Sequence, residues 1–198
     1  MFTGIIRELG TVRRVERARG LMRVIIAAPA TASCVQRLES VAVNGVCLSV
    51  VDIRQAAMTF ELIPETQTLT TLGTIRSGDR VHVEPSLTLA DRLNGHILLG
   101  HVDGMGTVVR RRQRAGELIV EIRVRPELRR LLVPKGPVAI DGVSLTVGRA
   151  LTASTLAVHL IPETLRQTLL RSLEVGDRVN IELDYLAKLV RQFVCQKR

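Results

Sequence analysis

The chain has 198 residues, 46% of them apolar, which suits one large domain or two of about 100 residues and excludes a disordered or collagen-like chain. Its 28 basic residues exceed the 19 acidic ones to give a net charge of +9, almost all of it arginine, yet the only aromatics are Phe2, Phe60, Tyr185 and Phe193. Single-strand binding needs stacking platforms as well as charge, so nucleic acid is set aside as a partner.

Short β-branched runs punctuated by Gly, Asp and Pro predict strands over 22–26, 41–43, 47–53, 59–63 and 80–84. Helical turns are expected over 30–38, 87–93 and 126–132. The densest basic run, Arg110 to Arg112 with Arg114, precedes Ala115-Gly116 and reads as a hairpin loop. From Asp184, a plausible N-cap, Leu186, Leu189, Val190, Phe193 and Val194 form a stripe along one face of a helix. That stripe either caps a barrel or self-associates.

The chain contains itself twice. Asn44-Gly-Val-Cys-Leu-Ser-Val50 matches Asp141-Gly-Val-Ser-Leu-Thr-Val147, Leu62-Ile-Pro-Glu-Thr66 recurs at Leu160 to Thr164, and Gly78-Asp-Arg-Val81 recurs at Gly176 to Val179. Gly4 and Gly10-Thr-Val12 pair in turn with Gly100 and Gly106-Thr-Val108. A period of 96 to 98 residues exceeds any solenoid unit, so each copy is a domain with its own core. Five or six short strands in so few residues favour closure over an exposed sheet edge. The expected fold is all-β: two tandem, similar, closed antiparallel Greek-key β-barrels with short helical turns and a C-terminal amphipathic α-helix. The expected boundaries are 1–96, 97–184 and a helix and tail over 185–198.

Cys34, Cys47 and Cys195 are odd in number and widely spaced, which argues against disulfides and zinc and for a cytoplasmic protein. The longest apolar run, 24–35, is too short for a membrane span and contains Pro29, and no signal peptide is expected. Among chemistry-bearing residues, Cys47 on an apolar strand reads on its own as an inert buried thiol. His96 and His101 have the titration range for proton transfer but also fit structural roles. No third ligand joins them, so no metal site is expected. Ser144, Thr146 and Asp184 lack the Gly-x-Ser-x-Gly elbow of a hydrolase, and no ordered base is evident near Ser144.

The opening Met1-Phe-Thr-Gly-Ile-Ile6, Asn44 to Ser49, Asn94-Gly-His-Ile-Leu-Leu-Gly-His-Val-Asp103, Lys135-Gly136 and Asp141 to Thr146 together resemble, in order, the motifs of the α-chain riboflavin synthase family, and the resemblance covers essentially the whole chain. It implies a homotrimer built by the C-terminal helix and a cofactor-free dismutation of two 6,7-dimethyl-8-ribityllumazine molecules into riboflavin and 5-amino-6-(ribitylamino)uracil, between the N-barrel of one subunit and the C-barrel of another. Association with a separate lumazine synthase occurs in some organisms with this family, and nothing in the sequence decides it.

The resemblance groups Thr3, Gly4, Ile5, Ile6, Cys47, Leu48, Ser49, Glu61, Leu62, Ile63, Pro64, Glu65 and Thr66 around one ring, with strand-edge backbone as the contact. It groups Gly100, His101, Val102, Ser144, Leu145, Thr146, His159, Leu160, Ile161, Pro162, Glu163 and Thr164 around the other. It makes Cys47 and Ser144 polar contacts at the reacting centres, ranks His101 above His96 for proton transfer, and gives Thr146 a hydrogen bond to the ligand. Asp184 polarises from the barrel edge and Lys135 donates to a ring carbonyl. Phe2 either reaches into the site or seals a barrel. Ser49 stands where the family often has threonine, Ile63 where methionine is common and Asn94 where glycine is usual, mild changes in packing. The competing class is a noncatalytic lumazine- or flavin-binding antenna-type protein; the two intact sets of repeat motifs favour the enzyme.

Overall fold

The computed structural model describes residues 1–18, 20–149 and 152–195. In the first half, β1 (Glu8–Ala18), β2 (Leu21–Ala27), β3 (Ser40–Val43), β4 (Val46–Arg54), β5 (Ala57–Leu62) and β6 (Arg80–Pro85) close into an antiparallel barrel in the order β1-β2-β5-β4-β3-β6. The second half repeats that order with β7 (Gly104–Arg114), β8 (Glu117–Arg123), β9 (Pro137–Ile140), β10 (Val143–Thr146), β11 (Thr155–Leu160) and β12 (Arg178–Leu183). Its end strands β10 and β11 meet just beyond β10, at the bridge Val147 to Val158 and the bond from Gly148 N to Ala157 O. Register shifts recur at matching places, Val12/Arg14 and Val108/Arg110, where an extra residue bends the long strand around its barrel.

The period of two explains which residues go inside. In β4, Val46, Leu48 and Val50 are buried, whereas Cys47 and Ser49 point outward. Each barrel fills its interior separately, the first around Met22, Met58 and Phe60, the second around Ile122, Leu156 and Ile181. Side chains pack both interiors among the described residues.

Four short helices, α1 (Pro29–Ala32), α2 (Pro64–Leu69), α3 (Pro126–Arg129) and α4 (Pro162–Gln167), each begin with proline, whose fixed φ and missing N–H suit a first turn. This corrects several expectations. The turns over 30–38 and 126–132 shrink to α1 and α3, and 87–93 holds no helix. The Ile-Pro-Glu-Thr segments leave the strand after Leu62 and Leu160 to start α2 and α4. The run Arg110 to Arg114 ends strand β7, and the turn falls at Ala115-Gly116.

The tail forms α5 (Tyr185–Cys195), and Asp184 Oδ1 accepts the Leu186 N–H as an N-cap does. Lys188 ties α5 to the second barrel through Asp103, with Nζ to Oδ contacts of 2.9 and 3.0 Å. Leu186, Val190, Phe193 and Val194 remain 59–64% exposed, so the apolar stripe does not pack on the chain's own barrels. No described helix is long and apolar enough to cross a membrane.

Candidate functional site

The barrels are joined by a reciprocal crossover of their opening segments. Phe2 and Leu98 pair through N–H to C=O contacts of 2.8 and 3.1 Å. Glu84, from β6, holds the first segment by accepting the Thr3 and Gly4 N–H groups and the Thr3 hydroxyl. Glu182, from β12, holds the second by accepting the Leu99 and Gly100 N–H groups. Burial pushes both carboxyls up, and the donors they accept from oppose it.

Each segment then touches the other barrel. Gly4 O accepts from Ser144 N at 2.8 Å, and Gly100 O accepts from Cys47 N at 2.9 Å. Ile6 packs on the second core and Val102 on the first. A Cβ on Gly4 would lie 2.6 Å from the Ser144 Cβ, and one on Gly100 would lie 2.6 Å from the Cys47 Cβ, so glycine is required at both. The grouping read from sequence is therefore exchanged: Gly100, His101 and Val102 belong with Cys47, and Gly4, Ile5 and Ile6 belong with Ser144.

The first cleft, about 250 Å³, is lined by Val46, Cys47, Glu65, Thr66, Leu69, Thr70, Gly100, His101 and Val102. Its floor is a strand edge that is partly covered, Gly100 O accepting from Cys47 N. Residues 46–49 of β4 pair with β3, and only from Val50 onward does β4 pair with β5. Since backbone groups alternate sides along a strand, Ser49 N–H points the same way as Cys47 N–H, toward the part of that edge beyond Gly100. Leu69, Thr70 and Val46 were absent from the sequence reading; they follow from α2, whose start at Pro64 was the available signal.

In the second half, β10 pairs with β9, and on its other edge Ser144 N meets Gly4 O in the same way. His96 Nδ1 lies 2.7 Å from Ser144 Oγ, so Ser144 does have a base beside it, contrary to the sequence reading. Burial lowers the His96 pKa and favours the neutral imidazole, and the Asp184 carboxylate partly offsets this. Its Nε2 is buried and unpartnered among the described residues. Each strand edge thus has one histidine, His101 with Cys47 and His96 with Ser144, and a polar group two residues on, Ser49 or Thr146.

The remaining candidates sit elsewhere. Phe2 is 1% exposed in a cluster with Ala42, Leu98 and Ala139 against Cys47, which is the sealing place. His159 faces outward and pairs with Glu117 at 2.8 Å. Glu61 likewise pairs with Arg23 on the surface. Leu62 and Leu160 point into the barrels, whereas Ile63 and Ile161 are 54% and 59% exposed at the helix starts. Leu48 is buried and Leu145 packs against the second core. Glu163 bonds Arg166 and Gln167, whereas Glu65, its counterpart, forms no ion pair among the described residues. Lys135 is exposed at positive φ (66°), the counterpart of Leu38 (74°), and its N–H bonds Val147 O as that of Leu38 bonds Val50 O.

Two like barrels, one with an outer-wall cleft beside Cys47 and His101 and the other with His96 against Ser144 at the matching strand, make a tandem repeat of one domain. Comparison identifies which kind. The lumazine binding domain model matches twice, at residues 3–86 and 99–184. The chain is 35% identical over 194 residues to riboflavin synthase of Bacillus subtilis, covering 98% of this chain and 90% of that one. It is 40% identical to riboflavin synthase of Chlamydia pneumoniae, covering 96% and 92%. Among solved structures, LumP complexed with 6,7-dimethyl-8-(1'-D-ribityl) lumazine superposes with a TM-score of 0.83 at 23% identity, covering 92% of this chain and 99% of that one, a likeness of fold. The chain belongs to the riboflavin synthase family of lumazine-binding proteins.

Proposed function

We propose that this chain is a cytoplasmic riboflavin synthase, a transferase that moves a four-carbon unit between two 6,7-dimethyl-8-ribityllumazine molecules to give riboflavin and 5-amino-6-(ribitylamino)uracil. The observation that carries this is the duplicated strand edge with unlike polar groups: Cys47, Ser49 and His101 on one barrel, Ser144, Thr146 and His96 on the other. A reaction between two identical molecules needs two similar sites, and a donor and an acceptor need different ones.

In this reading the strand edges bond the ring through fixed backbone groups, with Thr66 and Thr164 at the helix starts. One ring loses a C7 methyl proton to a nearby base, and the other is activated at C7 by a hydrogen-bond donor. Holding both rings in line supplies on the order of 7 kcal/mol of the barrier through proximity. His96, neutral and beside Ser144, suits proton transfer there, and His101 serves the Cys47 cleft.

A cleft of about 250 Å³ falls below the usual range for enclosing even one such ligand. The second ring and the missing wall therefore come from the opposite barrel of another subunit, in a homotrimer gathered by the exposed face of α5. The likeness to LumP favours, as a second reading, a binder without turnover. Mixing the purified protein with the lumazine alone and following riboflavin by fluorescence and chromatography separates them. One riboflavin per two lumazines consumed is expected; saturable binding without riboflavin would overturn the enzyme reading in favour of the binder.

A further inference from the structure

A groove of about 980 Å³ runs between the barrels, and its lining repeats with the chain: Arg80 with Arg178, Asp79 with Asp177, and Thr74 with Ser172 are each 98 residues apart. It therefore straddles the pseudo-two-fold axis. None of these residues lines the Cys47 cleft.

The groove carries both signs, with Arg80, Arg166, Arg171 and Arg178 lining it together with Asp79, Asp141 and Asp177. Asp79 and Asp177 are held by their own turns, each Oδ2 accepting a backbone N–H at 2.7 Å from Arg76 and Glu174. Arg166 is paired with Glu163. Arg80, Arg171 and Arg178 line the groove with no carboxylate partner among the described residues. Arg171 breaks the symmetry, since its counterpart is Gly73. A second groove continues past Arg166 and Arg171 to Arg111, whose Nη2 donates to the Arg171 carbonyl at 3.0 Å.

Three unpaired guanidiniums sharing one concave surface repel one another, and their forked donors match phosphate oxygens. The chain's net charge of +9 draws anions toward them. We propose that the groove between the barrels binds a phosphate-bearing small molecule, with Arg80, Arg171 and Arg178 as the phosphate ligands. This inference does not rest on the proposed reaction.

Calorimetric titration of the full chain with inorganic pyrophosphate, at ionic strength fixed with sodium chloride, tests it. Saturable binding with Kd below about 1 mM is expected, weakened at least tenfold in Arg80→Gln/Arg171→Gly/Arg178→Gln. Should that variant lose its far-UV circular dichroism, Arg80→Gln and Arg178→Gln singly are each expected to weaken binding about threefold. Adenosine 5'-monophosphate and adenosine run in parallel: tighter binding of the nucleotide than of pyrophosphate, with adenosine silent, assigns an organic phosphate, and the reverse order assigns an inorganic one. No saturable binding of either anion, or unchanged affinity in folded arginine variants, overturns the proposal.

Discussion

Gly45 and Gly142 stand back to back where the two barrels meet: a Cβ on Gly45 would lie 2.6 Å from Gly142 N, and one on Gly142 would lie 2.7 Å from Gly45 N. Both have positive φ, 76° and 79°. Gly142→Ala thus combines backbone strain with a collision against another main chain, and about 3 kcal/mol of lost stability is expected in urea unfolding. Gly78→Ala, with φ 95° but nothing within 4 Å of its Cβ, isolates the strain and should cost about 1 kcal/mol. Equal losses would mean that contact between the barrels does not matter.

Next to these glycines lies a buried pair with opposed titrations. Burial pushes Asp141 up to about 7 and His82 down to about 4, while His82 Nδ1 donates to Asp141 O and Nε2 accepts from Leu169 N. Between pH 4 and 6.5 the folded state binds fewer protons at His82 than the unfolded chain does, so stability rises with pH. At Asp141 it binds more between pH 4 and 7, so stability falls with pH, and the two slopes oppose.

Asp141→Asn keeps the acceptor for Asn180 N, as Asn44 Oδ1 serves His82 N, and removes one slope. The variant should gain stability of about 2 kcal/mol at pH 8, and should become more stable on going from pH 4 to 6.5 where the parent stays level. Urea titrations at pH 4.5, 6.5 and 8 check this; parallel profiles for the two proteins would contradict it.

The strand runs and N-cap of α5 were legible because they are local: period-two burial, turn residues and Asp184 each act within a few positions, and the repeats were legible because both copies carry the same local signals. The α2 and α4 helices were legible in principle from Pro64 and Pro162 but were masked by the β-branched residues before them. What no local pattern carries is the exchange between halves. Gly4 and Gly100 occupy equivalent places in nearly equivalent sequences, so nothing in either says which barrel it will touch. The contact of His96 with Ser144 spans 48 residues and depends on that crossover.

His96 and Ser144 give a pH test of the second strand edge. His96→Gln should lower turnover by about 10² if it transfers a proton, with substrate affinity changing less. Since the Asp184 carboxylate raises the His96 pKa against the lowering effect of burial, Asp184→Asn should move the acidic limb of the rate profile to lower pH. A limb that stays in place in Asp184→Asn, or a folded His96→Gln with full turnover, would remove His96 from the chemistry.

The last prediction concerns the face of α5 that this chain leaves uncovered. Val190 and Phe193 are 63% and 64% exposed on a helix already fixed to its barrel through Lys188 and Asp103. Burying a phenylalanine and a valine in each protomer removes enough apolar area for about 2 kcal/mol per side chain, so a charge there should dissociate an assembly without touching either strand edge. Val190→Glu/Phe193→Lys should sediment as a monomer, keep its thermal midpoint within a few degrees when dilute, and lose turnover more than a hundredfold while still binding lumazine weakly. Because each barrel keeps its own residues, a monomer with full turnover would show that both rings meet within one chain, and the inter-subunit site would have to be abandoned.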